Sequence, residues 1–167
     1  MAQTPPDGTW HGWFEAYGRK LRLFARQWST SAADAEDIVQ EAFVRFWRSP
    51  QRNDADAHVQ LFAMVRRAGL DAVRRTSRRV ARERAVAEGD DDAMWFAPSE
   101  DSAGRDAEIQ VALSRLPSEQ REVLVLKIWG ELTFDEIART LDISPNTAAS
   151  RYRYALENMR RNPVLFR

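Results

Sequence analysis

Apolar positions along this chain recur with the period of a helix, and no segment alternates with period two over enough residues to make a strand. Trp10, Trp13, Phe14, Tyr17, Leu21, Phe24, Ala25 and Trp28 share one face of a first helix. Ser31 opens a second, with Asp34 three residues on as a capping-box variant. Its apolar face is Ala35, Ile38, Val39, Ala42, Phe43 and Phe46, and it stops near Pro50. A third runs from about His58 to Arg84 and gathers Leu61, Phe62, Val65, Gly69, Ala72, Val73, Thr76 and Val80 on one side. Further on, Ile109, Ala112, Leu113 and Leu116 mark a helix ended by Pro117. Ser118 to Trp129 follows, apolar nearly all round at Val123, Leu124, Val125, Leu126 and Ile128, which predicts a central, buried helix. Gly130 stands where a left-handed cap would end it. The pattern predicts an all-α fold.

The next segment predicts a specific geometry. Thr133-Phe134-Asp135-Glu136 reads as a capping box opening a short helix to Leu141. Asp142-Ile143 makes a turn, and Asp tolerates the left-handed conformation better than most residues. Ser144 then supplies an N-cap and Pro145 a proline at the first helical position. The last helix buries Ala148, Tyr152, Ala155, Leu156 and Met159. A short helix, a tight turn and an amphipathic second helix form a helix-turn-helix, whose second helix enters the DNA major groove. The outward positions there are Asn146, Ala149, Ser150 and Arg153, flanked by Arg151, Tyr154 and Arg160. Asn and Arg reach adenine and guanine edges in two-point contacts, while Ser and the flanking Arg reach phosphates. A plain helical hairpin with a solvated outer face has the same periodicity.

Charge divides the chain. The formal net charge of the 167 residues is zero. Yet Arg66 to Arg84 holds eight arginines against Asp71 and Glu83, a net +6, and Glu88 to Glu108 holds eight acids against Arg105, a net −7. On the third helix Arg67, Arg74, Arg75, Arg78 and Arg82 form a narrow stripe opposite the apolar face. A basic block beside an acidic one suggests polyanion binding next to a segment that masks it; a solvated helix face followed by an acidic loop gives the same count. The acidic stretch is rich in Gly, Asp, Ser and Pro, as linkers are. The expected division is therefore a helical module over 8–84, a flexible acidic linker over 85–105, and a helix-turn-helix module over 106–162. Within the linker, Met94-Trp95-Phe96 is an apolar island expected to dock on one of the modules.

Composition removes several classes. There is no cysteine, so disulfides, thiolate zinc sites and cysteine nucleophiles are excluded. His11 and His58 are too few and too isolated for a metal cage, and no cofactor is expected. No nucleophile elbow or Gly-rich phosphate loop supports an enzyme. No apolar run is long enough to span a bilayer, and Met1 to Gly8 lacks the apolar stretch of a signal peptide. A cytoplasmic protein is expected.

Two stretches carry a family resemblance. Ser31 to Arg48, SAADAEDIVQEAFVRFWR, resembles the core-binding region 2 of bacterial sigma factors. Leu113 to Arg160, LSRLPSEQREVLVLKIWGELTFDEIARTLDISPNTAASRYRYALENMR, resembles their region 4. Region 2, linker and region 4 with little else is the layout of the extracytoplasmic-function (ECF) group. The resemblance implies a non-catalytic protein that binds the RNA polymerase core, recognises two promoter elements and helps open the duplex. It implies that Asp37, Gln40, Glu41, Arg45 and Trp47 dock on the clamp of the largest polymerase subunit. Charges around an aromatic anchor suit such an interface, although acids early in a helix also favour its dipole. Arg66, Arg67, Arg74, Arg75 and Arg78 would face the melted downstream element, and a loop at about Gln51 to Asp56 would take a flipped base. Asn146, Ala149, Ser150, Arg153 and Tyr154 would read the upstream element, with Arg151 beside them. An anti-sigma factor and a monomeric free state are further expectations. So is nucleoid association once polymerase is bound.

Four positions depart from the family pattern: Arg67 for the usual Asn, Gln60 for a Trp, Ala148-Ala149 for Val and a polar or basic residue, and Asp142 for Gly. The alanines and Arg67 keep open an alternative, a sigma mimic that sequesters an anti-sigma factor without engaging promoters; the +6 helix argues against it. The opposed charges also raise the expectation that the free chain holds its modules together, the acidic linker shielding the arginines until polymerase binding parts them.

Overall fold

The computed structural model describes residues 9–83 and 105–161, which contain helices and no strand. Helix α1 (Trp10–Ala25) is capped by Thr9, whose hydroxyl accepts from the Gly12 amide, and runs into a 3-10 turn at Arg26–Trp28. Helix α2 spans Ala32–Arg48, and α3 spans Ala57–Glu83 after a second 3-10 turn at Asp54–Asp56. Helices α4 (Arg105–Ser114), α5 (Ser118–Ile128), α6 (Phe134–Leu141) and α7 (Pro145–Arg160) complete the order.

The expected caps are present. Asp34 N–H donates to Ser31 Oγ and Ser31 N–H donates to the Asp34 carboxylate, both at 3.0 Å. Hydrogen bonds from Thr30 and Ser31 hold the Asp34 pKa below its ordinary value. Thr133 and Glu136 make the second capping box, and Ser144 accepts from Thr147 ahead of Pro145. Asp142 is left-handed, with φ 56°. Two expectations are corrected: Ile128, at the end of α5, is 46% exposed and not buried, and the left-handed residue after α5 is Glu131, at φ 58°, not Gly130. Gly130 is needed for closeness instead, because a Cβ there would sit 2.5 Å from the Leu126 carbonyl oxygen.

Helices α1, α2 and α3 pack around Trp13, Leu21, Phe24, Val39, Phe43, Phe46, Leu61 and Phe62, all fully buried. Gly69 lets α3 meet the Trp28 indole; a Cβ would lie 2.6 Å from its ring carbons. Helices α5, α6 and α7 form the second group, on Val123, Leu126, Leu132, Ile137, Ala148 and Ala155. These two groups are not apart. Helices α1 and α3 pack on α5 and α6, and the apolar side chains of both groups join in one core. The continuous apolar run Val123–Leu126 follows from this, because α5 has the helix-turn-helix on one side and the N-terminal helices on another. The acidic run 90–92 and the Met94–Phe96 island lie outside the described residues.

Among the described residues, three ion pairs and one histidine–carboxylate contact stitch the seam between the groups. Lys20 Nζ meets Glu131 at 2.6 Å, His58 Nε2 meets Glu136 at 2.7 Å, and Arg66 Nε donates to Glu122 at 2.9 Å. Arg139 of α6 donates to Asp56 at 2.9 Å. The Tyr17 ring stacks on His58, its centroid 6.2 Å away.

Candidate nucleic-acid and polymerase interfaces

Helix α7 presents its N-terminal half outward. The α6–α7 turn is held by the Ile143 amide, which donates to the Ala138 carbonyl at 3.0 Å, and by Phe134 edge-on to Tyr152 at 5.7 Å. Asn146, Arg153 and Tyr154 are exposed, and Ala149 and Ser150 half-buried. The Arg153 guanidinium lies 5.2 Å from the centre of the Tyr154 ring, so the cation and the ring stand together at the surface. Arg151 is set differently: it is half-buried and paired with Glu119 of α5 at 3.0 Å. The face from Asn146 to Arg153 is left open by the seam.

On α3, Arg67, Arg74, Arg75 and Arg78 are exposed, as the stripe requires. Arg66, outside that stripe but expected with it at the downstream element, turns to α5, where Glu122 has a side chain only 10% exposed. Burial pushes the Glu122 pKa up, against the pull of Arg66 and Arg151. Arg75 reaches Glu41 at 3.5 Å and Arg74 reaches Asp71 at 3.7 Å. The same Glu41 pairs with Arg45, which also meets Asp71 at 3.6 Å. Glu41 and Arg45 therefore tie α2 to the arginine helix.

Asp37, Gln40 and Trp47 stand exposed on α2 at helical spacing, with Val44 between them. Sequence reasoning missed Val44 and Trp10, which are 40% and 37% exposed beside Trp47. Trp10 packs 5.9 Å from Trp47 and 5.0 Å from Phe43. The signal for Val44 was its place four residues after Gln40, on the polar side of the helix. Together they form an apolar strip between Asp37 and Arg48, the mixed character that protein interfaces favour.

The loop from Ser49 to Asp56 lies between α2 and α3. Arg52 stacks over the Trp47 ring at 4.4 Å and pairs with Asp54 at 3.1 Å. Gln60 Nε2 donates to the Gln51 carbonyl and Gln60 Oε1 accepts from the Asn53 amide, each at 3.2 Å. Asn53 in turn caps the 3-10 turn by accepting from the Ala55 amide.

Glu136 has two jobs. Burial works to raise its pKa, but hydrogen bonds from the Thr133 amide, His58 and the Thr133 hydroxyl, with the charge of His58, outweigh burial and hold it at about 2. Burial first, then Glu136 and Glu131, raise the Tyr17 pKa. Among the described residues no helix is long and apolar enough to cross a membrane.

Comparison with known proteins agrees with this arrangement. The Sigma-70 region 2 family model matches residues 13–79 and the Sigma-70, region 4 model matches residues 106–159. The ECF RNA polymerase sigma factor SigJ of Mycobacterium tuberculosis is 36% identical over 156 residues, 86% of this chain; the chain spans about half of SigJ, 48% of its length. The ECF RNA polymerase sigma factor SigL of the same organism is 30% identical over 154 residues, covering 88% of this chain and 84% of SigL. Among solved structures, the sigma factor RpoE of Bartonella quintana, in complex with the anti-sigma factor NepR, shares the fold at a TM-score of 0.66. It is 21% identical, with 89% of this chain and 92% of that one covered. With a region 2 core on α1–α3, a region 4 helix-turn-helix on α5–α7 and SigL alike over most of its length, the chain belongs to the ECF group of RNA polymerase sigma factors.

Proposed function

We propose that the chain binds the RNA polymerase core and directs promoter recognition, duplex opening and transcription initiation, acting as a regulator without catalysis of its own. The observation that carries this reading is the exposure of three surfaces on one chain: the α2 strip, the α3 arginines and the outer face of α7. The clamp of the largest polymerase subunit meets Asp37, Gln40 and Trp47, with Val44 and Trp10 adding apolar area around the tryptophan. Arg67, Arg74, Arg75 and Arg78 follow the phosphates of the downstream element, and the Ser49–Asp56 loop takes a base from the opened strand. Asn146, Ser150 and Arg153 read the upstream element in the major groove.

Residues 8–84 and 106–162 act as separable units in this scheme, bridged by the segment 85–105. Arg66 and Asp56 reach nucleic acid only after releasing Glu122 and Arg139, so the packed seam belongs to the free, monomeric protein and polymerase binding parts it. An anti-sigma factor that favours the packed form would silence the protein. The site of action is the cytoplasm, on the nucleoid when polymerase is bound. A sigma mimic is not favoured, because a mimic has no use for exposed phosphate-facing arginines. Reconstituted transcription tests the reading. Core polymerase with this chain initiates from a two-part promoter, Trp47→Ala abolishes co-purification with core, and absence of initiation above core alone at every promoter enriched with the chain overturns it.

A further inference from the structure

We propose that Gln60 is a positioning residue, a two-handed clamp that presets the Ser49–Asp56 loop for base capture. The inference rests on the reading of that loop as the receiver of a downstream base. Beside the loop's own bonds through Ser49 and Asn53, three contacts from other elements hold it. Arg52 stacks on Trp47 of α2 at 4.4 Å. Asp56 is gripped by Arg139 of α6 at 2.9 Å. Gln60, on the first turn of α3, donates to the carbonyl of Gln51 and accepts from the amide of Asn53, both at 3.2 Å.

Only the Asp56–Arg139 contact crosses the seam, so it is the one lost when the helix groups part. The Arg52 contact holds a side chain, and the bonds to Ser49 take only the Gln51 and Arg52 amides. Gln60 alone takes both a carbonyl and an amide of the loop, two residues apart, into one planar amide. That pair of bonds fixes the peptide planes on either side of Arg52, and with them the direction in which the loop offers its polar groups. An ordered loop receives a base without first losing conformational freedom, which is how preorganisation raises discrimination. A glutamine suits the task because it carries a donor and an acceptor on one rigid group, and a carboxylate at this position keeps only the acceptor. The family resemblance places a tryptophan at this position, so the hydrogen-bonded clamp is a feature of this chain's own residue.

The test uses the full chain bound to core polymerase, on forked templates whose downstream element is single-stranded and is varied one base at a time. Gln60→Ala lowers discrimination at one base position at least about fivefold, the lower end of what a well-placed base contact contributes. Core affinity and binding to an upstream-element duplex stay unchanged. In the free chain the Asn53 amide loses its protection from hydrogen exchange in Gln60→Ala and keeps it in Gln60→Glu, which still offers the acceptor. Gln60→Glu, lacking the donor to Gln51, gives intermediate discrimination. Unchanged discrimination in Gln60→Ala, with the Asn53 amide deprotected, overturns the positioning role while leaving the loop reading intact. A wild-type holoenzyme that binds core yet discriminates no base in the downstream element overturns the loop reading, and the proposal with it.

Discussion

Two surfaces proposed for the same task, gripping promoter DNA, keep different electrostatic company. On α7 the outward residues Asn146, Arg153 and Tyr154 face solvent, and Arg151 alone pairs, within its own helix group. Around the start of α3, by contrast, Asp56, His58 and Arg66 are all paired to the other group. Three of the four seam contacts set Lys20, His58 or Arg66 of the N-terminal helices against Glu131, Glu136 or Glu122 of the C-terminal ones. The C-terminal group thus offers carboxylates to the basic N-terminal edge. Among the described residues, the packed form engages the proposed downstream-element side only at Asp56 and Arg66, while Arg67, Arg74, Arg75 and Arg78 stay exposed, as the outer face of α7 does.

The largest effect that breaks this contrast comes from Arg66→Ala, which strands the buried Glu122. Removing one partner of a buried pair costs ~3–5 kcal/mol; Arg66 keeps a third of its side chain exposed, so about 2–4 kcal/mol is expected. A lower melting temperature and a larger scattering radius check it, and Glu122→Gln in the same chain restores part of the loss. On the open side, Arg153→Ala relaxes preference at one upstream base pair by ~1–3 kcal/mol, read from a duplex substitution series. Replacing Arg74 and Arg75 together weakens DNA engagement across sequences and flattens its log–log salt slope by about two. A slope equal to that of the wild type places those arginines off the phosphates.

Acid separates the seam from the open face more gently. Against its burial, the Glu136 pKa is lowered from 4.5 to about 2, by the Thr133 cap within α6 and by His58 across the seam. Its contribution to the folded state is therefore complete above its unfolded value and is lost as pH falls from about 4.5 toward 2. Glu122 runs the other way. Its pKa is raised, so protonation relieves its burial as the pH drops. Scattering on wild type and Glu136→Gln between pH 6 and pH 2 isolates the Glu136 part as the acid expansion that the variant lacks. The smallest effect belongs to Lys20→Ala. Its partner Glu131 is well exposed, and a surface pair of this kind is worth under about 1 kcal/mol in thermal melting.

Much of the fold was legible residue by residue. Ser31 with Asp34, Thr133 with Glu136, and Ser144 with Pro145 start helices where the sequence places them. Asp142 takes the turn conformation its side chain tolerates. Gly130 misled, since glycine answers both to a positive φ and to a close approach, and the sequence does not separate the two. The α2 strip was legible through Asp37, Gln40 and Trp47, but Trp10 was assigned wholly to the core, because periodicity does not reveal which end of an apolar face runs past its neighbour. Arg66 was read as one of a basic group, whereas its direction depends on a carboxylate 56 residues away.

What the sequence determined by itself is the set of helices, their caps and the helix-turn-helix, because each depends on groups within about four residues along the chain. What only the tertiary structure decided is the seam. Its partners stand 56 to 111 residues apart. Glu122, Glu131 and Arg139 look like any solvated charge, and Glu136 like a helix cap alone, until the two groups meet. Burial then gives direction to charges that water would otherwise screen.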